Sequence, residues 1–303
     1  MQKLADSGPE IELQSYLAEC REALDRRLAR LRDEAEIPAP LQPPVAAALA
    51  SVGKRVRGIL TMAAGESCGL SPVRLIDAAA AFEMIHASSL ILDDLPSMDD
   101  AEFRRGEPAL HRKFGEDLAI LTSVALLNHA YGLLGTAHET IAPRRWNLQK
   151  VVQQVVEAVG WDGTIGGEAV DLHSEASRLD FQTLEYIHSR KTGRLFVAAA
   201  TTGAMLANAS ESLVRVIEAY AKNLGLAFQI TDDILDATAT REQLGKDVGK
   251  DASKLTFVKL AGIEGARQLT RELIDTSLAS LEPLGASGRK LRLLAAFVRD
   301  RTR

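Results

Sequence analysis

The sequence is poor in cysteine and in aromatic residues. Its 303 residues include only two cysteines, Cys20 and Cys68, which indicate neither a disulfide framework nor a zinc site and fit a reducing compartment. Aromatic residues make up 5% of the chain, and no alternation of apolar and polar residues recurs, so strand signals are scarce. We therefore expect a cytoplasmic protein with little β-structure.

Excess positive charge and long apolar runs are also lacking. The formal net charge is −5, which gives no reason to expect a nucleic acid or an anionic membrane as a partner. The weakly charged stretch 75–92 still contains Asp77, Glu83 and His86, so it is not the apolar run of about 20 residues that spans a membrane. No signal peptide, P-loop or dinucleotide fingerprint is present. We expect no transmembrane segment and no nucleic-acid partner.

Alanine and leucine dominate, with apolar residues at helical spacing. This pattern predicts helices over 10–32, 54–69, 72–95, 115–138, 148–160, 180–207, 211–237, 253–277 and 287–300. Ser71, Asp180 and Ser210 are candidate residues at helix starts, and a proline-rich joint covers 38–44. No glycine- or serine-rich linker divides the chain, so the sequence predicts one all-α domain over 1–303.

The first unusual feature is an acidic patch at the end of a predicted helix. Pro96 disfavours helical geometry in the residue before it, so Asp93 and Asp94 lie in the last helical turn. The helix dipole is negative there, which is unfavourable for carboxylates. Asp99 and Asp100 add further negative charge. A solvated acidic loop is the simpler interpretation, but the preceding residues have the composition of a buried helix.

A second acidic patch lies inside the predicted helix 211–237. Asp232 and Asp236 share one helix face with Gln229, and like charges at this spacing repel each other. Asp233 lies beside them, and Ile234 indicates that the helix is packed. Two such clusters in one chain predict hard divalent cations, with Mg²⁺ the usual candidate where substrate phosphates are bridged.

Groups of basic residues accompany the acidic patches and could bind phosphate. Each group alone is more often a solvated surface, and only the arrangement beside the aspartates favours anion binding. The groups are Lys54, Arg55 and Arg57; Arg104 and Arg105; Arg190, Lys191 and Arg194; and Lys246.

Two Glu-x-x-His patterns raise an alternative from another class. Glu83 and His86 form one, and Glu185 and His188 form the other. In helical bundles this pattern can build a di-iron carboxylate site. That site also needs glutamates from two further helices, which nothing in the sequence selects, and it leaves the aspartates and basic groups without a role.

These residues together resemble the trans-isoprenyl diphosphate synthases, also called polyprenyl synthetases, from about residue 52 onward. The segment 83–100 is similar to the first aspartate-rich motif of that family, and 228–236 to the second. Gly-Lys-Arg at 53–55 lies upstream, and Lys-Thr-Gly at 191–193 lies between them. The combination is specific, whereas one aspartate motif alone is shared with terpene cyclases.

The resemblance implies a single all-α helical bundle around a deep apolar cavity, forming a homodimer. It implies head-to-tail condensation of isopentenyl diphosphate with an allylic diphosphate, with about three Mg²⁺ ions. The implied Mg²⁺ ligands, direct or through water, are Asp93, Asp94, Asp99, Asp232, Asp233 and Asp236. The implied ligands of the allylic diphosphate are Arg104, Lys191 and Lys246. Those of isopentenyl diphosphate are Lys54, Arg57, His86 and Arg105, while Thr192 and Gln229 face the reacting carbons.

The chain departs from the family pattern at several positions. Gly58 stands where proline is common, Leu92 where histidine is frequent, and Glu168 where glutamine is usual. Leu-Thr-Phe-Val at 255–258 replaces a commoner Thr-Tyr-Pro pattern. None of these changes removes a charged ligand, so they concern the shape of the pocket.

The residues before the first aspartate motif suggest the product length. In the family these positions form the floor of the cavity, and synthases that stop at fifteen carbons usually carry an aromatic where this chain has Ser88 and Ser89. We expect a floor one helical turn lower, about 5.4 Å, at Met84 or Phe82, and hence geranylgeranyl diphosphate with twenty carbons. Farnesyl diphosphate or a longer product, a terpene cyclase, and a non-catalytic partner subunit are the alternatives.

Overall fold

The computed structural model describes residues 7–51, 53–174, 180–238 and 256–301, and 81% of it is helical. The first six helices are α1 (Ser7–Glu34), α2 (Gln42–Ala50), α3 (Val56–Ser67), α4 (Ile76–Asp93), α5 (Leu110–Phe114) and α6 (Glu116–Ile141). The others are α7 (Leu148–Val159), α8 (Thr164–His173), α9 (Phe181–His188), α10 (Arg194–Leu206), α11 (Glu211–Thr238), α12 (Phe257–Ser280) and α13 (Arg289–Asp300). A two-stranded antiparallel hairpin pairs β1 (Phe103–Arg104) with β2 (Glu107–Pro108).

The predicted all-α fold is confirmed, and the differences are local. Asp180 accepts a hydrogen bond from the Thr183 amide at 2.8 Å, and Ser210 from the Leu213 amide at 3.3 Å, so both caps are present. Ser71 is the N-cap residue of a 3₁₀ turn, Pro72–Leu75, that precedes α4, as predicted, but its side chain makes no cap bond. The helix predicted over 180–207 is continuous from Phe181 to Leu206, but an unpredicted π-helical turn, Ser189–Gly193, divides it into α9 and α10. Helices α2, α5 and α8 were not predicted.

The centre of the protein is built from α3, α4 and α10. Most side chains of α3 and α10 are buried, and α4 packs between α3 and α6. Helices α3 and α10 cross with their backbones in close approach, because a Cβ added to Gly203 would lie 2.1 Å from the Thr61 carbonyl oxygen. This crossing fixes the relative position of α3 and α10, whose ends lie next to the candidate functional residues.

Two helical segments among the described residues are long and apolar enough to cross a membrane. They are Pro72–Asp93, 61% buried over its most apolar window, and Glu116–Ile141, 39% buried. Core helices of soluble proteins meet the same criteria of length and composition, so the finding is weak evidence for a membrane span. The absence of a transmembrane segment stays a prediction.

Candidate active site

The first acidic patch caps its own helix end with backbone hydrogen bonds. Helix α4 ends at Asp93, and Asp94 is its C-cap residue, as Pro96 led us to expect. The Asp99 amide donates to the Asp93 carbonyl at 2.9 Å, and the Ala101 amide donates to the Asp94 carbonyl at 3.1 Å. The loop therefore folds back on the helix end and brings the Asp99 backbone beside Asp93.

A buried ion pair joins this patch to the hairpin. Asp94 is 3% exposed, and Arg104 Nε on β1 donates to its two oxygens at 3.0 and 3.1 Å. Bidentate guanidinium–carboxylate pairs are among the strongest charge-assisted contacts. The predicted phosphate ligand Arg104 is therefore held by a predicted metal ligand.

Asp93 carries a charge that its surroundings disfavour. Burial, followed by the negative charge of Glu168, raises the pKa of Asp93 to about 7 against the opposing effect of Lys191 and Arg104. A carboxyl group in this position gains from a bound cation. The donor chemistry here fits Mg²⁺.

Lys191 lies between two carboxylates of α8. Its Nζ is 2.5 Å from Glu168 Oε2 and 2.9 Å from Asp171 Oδ2. Burial lowers the pKa of Lys191, but the charges of Asp171, Glu168 and Asp93 outweigh it and hold the pKa above its usual range. Helix α8 can approach this closely because residue 167 is glycine, where a Cβ would lie 2.5 Å from the Lys191 amide nitrogen.

The second acidic patch lies on α11 and meets the π-helical turn. Thr192 Oγ1 donates to Gln229 Oε1 at 2.9 Å, and Gln229 Nε2 donates to Asp233 Oδ1 at 3.2 Å. The Phe257 amide at the start of α12 donates to Asp233 Oδ2 at 3.1 Å. Burial raises the pKa of Asp233 to about 6, against the effect of these hydrogen bonds. Asp233 thus orients Gln229 and caps α12, while Asp236 lies exposed on α11.

Asp232 forms an ion pair with an arginine that is distant in the sequence. Arg301, directly after α13, donates from Nη2 to Asp232 Oδ1. The side chain of Arg301 is 2% exposed and that of Asp232 is 35% exposed. The contact joins residues 69 positions apart.

A cluster of arginines surrounds His86. Burial, followed by the positive charges of Arg57, Arg105 and Arg104, lowers the pKa of His86 well below its usual value, so the imidazole is neutral. Burial also lowers the pKa of Arg57 to about 10. Several arginines around the neutral imidazole of His86 could bind an anionic group such as a diphosphate. Lys54 precedes α3 and is exposed.

Glu83 supports this cluster through the backbone. Its Oε1 accepts from the Gly58 amide at 2.8 Å, and its other oxygen is 3.9 Å from Arg55 Nη1. A proline at position 58 would have no N–H for this bond, which gives a structural reason for the absence of proline here. Because Glu83 is 5% exposed whereas Glu185 is exposed, the two Glu-x-x-His patterns do not form one site, and the di-iron alternative is not supported.

Within the described ranges, no three side chains of His, Cys, Asp or Glu form a ready-made metal group. This agrees with Mg²⁺, which usually takes one or two carboxylates and completes its shell with water and substrate phosphates. The predicted ligand Lys246 lies outside the described residues.

The predicted floor lies at the contact between α4 and α6. Ser88 is 3% exposed; its hydroxyl is 2.9 Å from the Ser123 hydroxyl, which donates to the Ser88 carbonyl at 3.0 Å. Met84, one turn earlier on the same face of α4, is 3% exposed, and Phe82 is fully buried. Ser89 Oγ instead donates to the His86 carbonyl at 3.0 Å.

Sequence reasoning missed two charged residues of this region. Asp171 follows Glu168 by three positions and so shares its face of α8, a signal that was present in the sequence. Arg301 has no local signal, since it belongs to a basic terminal run in which nothing distinguishes it.

Comparison with known proteins identifies the family. The model of the family described as Polyprenyl synthetase matches residues 38–283. The chain belongs to the polyprenyl synthetase family. It is 35% identical to farnesyl diphosphate synthase of Geobacillus stearothermophilus over 96% of this chain and 99% of that protein. It is 40% identical to geranylgeranyl diphosphate synthase of Cyanophora paradoxa, over 84% and 85% respectively.

A solved structure of the family has the same fold. Geranyltransferase of Helicobacter pylori, complexed with magnesium and isoprenyl diphosphate, superposes with a TM-score of 0.77. It is 28% identical and the match covers 93% of this chain and 95% of that one. This polyprenyl synthetase is therefore an all-α prenyltransferase that elongates isoprenyl diphosphates head to tail.

Proposed function

We propose that this enzyme condenses isopentenyl diphosphate with an allylic diphosphate to give geranylgeranyl diphosphate. The observation that carries the product length is the pair of small side chains, Ser88 and Ser123, where α4 meets α6. Neither of these two residues is aromatic, which supports a product longer than fifteen carbons. The similarity to a farnesyl diphosphate synthase makes the fifteen-carbon product the second candidate.

We propose that the two acidic patches bind Mg²⁺ through Asp93, Asp99 and Asp232, with Asp94, Asp233 and Asp236 as further ligands, direct or through water. The raised pKa of Asp93 and the carboxylate donors on both sides support this assignment. When bound, Mg²⁺ supplies Lewis-acid stabilisation of the leaving diphosphate. The number of ions, about three, follows the family.

The basic residues divide between the two substrates. Arg104, Lys191 and Lys246 bind the allylic diphosphate, and the cluster around His86, with Lys54, Arg57 and Arg105, binds isopentenyl diphosphate. Arg104 and Lys191 are paired with carboxylates, so substrate binding exchanges these pairs for phosphate contacts. Positive charge near both diphosphates then stabilises the developing negative charge on the leaving group.

Thr192 and Gln229 act on the reacting carbons. Their hydrogen bond fixes the Gln229 amide, whose dipole stabilises the allylic cation left when the C–O bond breaks. The double bond of isopentenyl diphosphate attacks this cation, and a proton leaves to the released diphosphate. Exclusion of water is required, because water would otherwise trap the cation.

The product length is tested by filling the wall. We expect Ser88→Phe to shift the main product from twenty to fifteen carbons, because the ring would project into the proposed cavity at the level of Ser88. Met84→Ala should lengthen the product, since it lowers the floor by one turn. The measurement is product chain length by chromatography after incubation with Mg²⁺, labelled isopentenyl diphosphate and each allylic starter.

Ser88→Ala is the matched control, because it removes the hydroxyl without adding volume, and its products should match those of the wild type. A fifteen-carbon product from the wild type would support the proposed condensation reaction but refute the proposed position of the cavity floor. Absence of elongation, with the starter converted to hydrocarbon, would refute the synthase assignment in favour of a cyclase.

We further propose that the enzyme is a cytoplasmic homodimer. Helix α6 supports the dimer, because Ile120, Leu121 and Val124 are 43%, 53% and 58% exposed on one of its faces. A contiguous exposed apolar face of this kind is typical of an interface, and a second copy of this chain is the partner that we propose.

A further inference from the structure

Arg301 is a buried arginine with most of its hydrogen-bonding capacity unused. A guanidinium has five N–H donors, yet within the described part of the chain Nε and Nη1 of Arg301 are buried without a hydrogen-bond partner. Its polar partner in that part is Asp232. Buried polar groups are normally satisfied, so this arrangement needs an explanation other than stability.

Aromatic rings fix the position of the guanidinium. Its carbon lies 4.3 Å from the centroid of the Phe228 ring, and the Phe228 and Phe196 rings are 5.0 Å apart. The guanidinium carbon of Arg57 lies 5.1 Å from the Phe196 centroid. The four side chains form one stack that runs from the second acidic patch to the isopentenyl diphosphate cluster.

The carboxylate held by Arg301 belongs to the metal-binding patch. Asp232 is a proposed Mg²⁺ ligand, and the positive charge of a guanidinium bonded to its carboxylate opposes the approach of a metal ion. The first patch and α8 show the same arrangement, with Arg104 on Asp94 and Lys191 on Glu168 and Asp171. Those two cations have proposed roles toward phosphate, whereas Arg301 has none so far.

We propose that Arg301 is a resident counter-ion of Asp232 that competes with Mg²⁺ for this carboxylate. The inference rests on the proposed function of the second acidic patch. A metal ion that binds Asp232 displaces Nη2 of Arg301, and the side chain then turns on the face of Phe228. Because Arg301 directly follows α13, its release couples the end of that helix to the metal state of the enzyme.

The test measures metal affinity directly, with the full-length protein and no substrate. Mn²⁺ is the probe, and its free fraction is read by electron paramagnetic resonance. We expect Arg301→Gln to bind Mn²⁺ about tenfold more tightly than the wild type, corresponding to about 1.4 kcal/mol, because the competing charge is gone. Arg301→Lys, which keeps the charge, should stay much closer to the wild type.

Arg299→Gln is the matched control for net charge. It removes the same charge two positions away, where Arg299 is 44% exposed and paired with Asp300, and we expect its Mn²⁺ affinity to be unchanged. In an Asp232→Asn background, Arg301→Gln should no longer change the affinity. Equal affinities of the wild type and Arg301→Gln, or weaker binding by Arg301→Gln, would overturn the proposal.

A second measurement needs no variant. We expect saturating Mn²⁺ to accelerate amide hydrogen exchange in the last turn of α13 in the wild type, because the tether to α11 is released. Unchanged or slower exchange there would overturn the coupling. Elongation assays run in parallel separate this inference from the proposed function. If Arg301 competes with the metal ion but the protein does not elongate its substrate, the inference stands and the proposed synthase activity is refuted.

Discussion

Asp93 lies at the end of α4 in surroundings that disfavour the charged form of its carboxyl group. Its pKa is raised to about 7, chiefly by burial and then by Glu168, whereas a free aspartate titrates near pH 3.9. A carboxyl group whose pKa is higher in the folded state stabilises the fold when it is protonated. That contribution is fully present below about pH 4 and is lost as the pH rises through about 7.

We therefore predict that, without metal, Asp93 makes unfolding easier at alkaline pH. Between about pH 5.5 and pH 8 this residue should lower the free energy of unfolding by about 1–2 kcal/mol. Asp93→Asn should remove that part of the pH dependence, and Glu168→Gln should reduce it. Urea denaturation in the presence of a chelator measures this. Parallel pH profiles for the wild type and Asp93→Asn would contradict the assignment.

At the scale of elements, the crossing of α3 and α10 leaves no space for one methyl group. A Cβ on Gly203 would meet the Thr61 carbonyl oxygen at 2.1 Å and the Gly65 amide nitrogen at 3.2 Å. Both contacts are with backbone atoms, which cannot rotate away as a flexible side chain can. The glycine is therefore required by packing between two helices that carry active-site residues at their ends.

Gly203→Ala should destabilise the enzyme by about 1–3 kcal/mol, the usual range for overpacking in a core. Gly135→Ala in α6 is the matched control, because nothing lies within 4 Å of the added methyl group, and helix propensity predicts equal or slightly greater stability. Thermal unfolding followed by circular dichroism provides the comparison. Equal melting temperatures for the two variants would show that the crossing can relax.

The sequence predicted those elements and contacts whose signals are local. Asp180 caps α9 and Pro96 follows the end of α4 because both effects act within a few residues. Helix α8 was missed, since its glycines at 166 and 167 weaken helix propensity. Gly167 is explained only by tertiary contact with the π-helical turn, and Gly166 by its close approach to the Trp161 carbonyl. The contact of Arg301 with Asp232 could not be predicted from the sequence, because 69 positions separate the residues and no sequence pattern links them.

For the whole molecule, α6 has two different faces. Ser123 on one face bonds Ser88 in the wall of the proposed cavity, while Leu121 on another is 53% exposed. If a second copy covers the exposed face, association and the wall of the cavity depend on the same helix.

Leu121→Glu should therefore convert the proposed dimer into monomers, because a buried charge without a partner is costly at an interface. Analytical ultracentrifugation measures the mass. Ile11→Glu is the control, since Ile11 is 66% exposed on α1 and should leave the mass unchanged. A wild type that sediments as a monomer would refute the dimer, and a dimeric Leu121→Glu would move the interface elsewhere.

The π-helical turn Ser189–Gly193 has a consequence for how this chain can change over evolution. It closes with a hydrogen bond from the Arg194 amide to the Ser189 carbonyl, one residue more than an α-helical turn. Losing one residue would join α9 and α10 into a regular helix and rotate α10 by about 100°. Gly203 would then turn away from Thr61, and the core crossing would be lost. Insertions and deletions in this turn would therefore disrupt the core as well as displace Lys191 and Thr192.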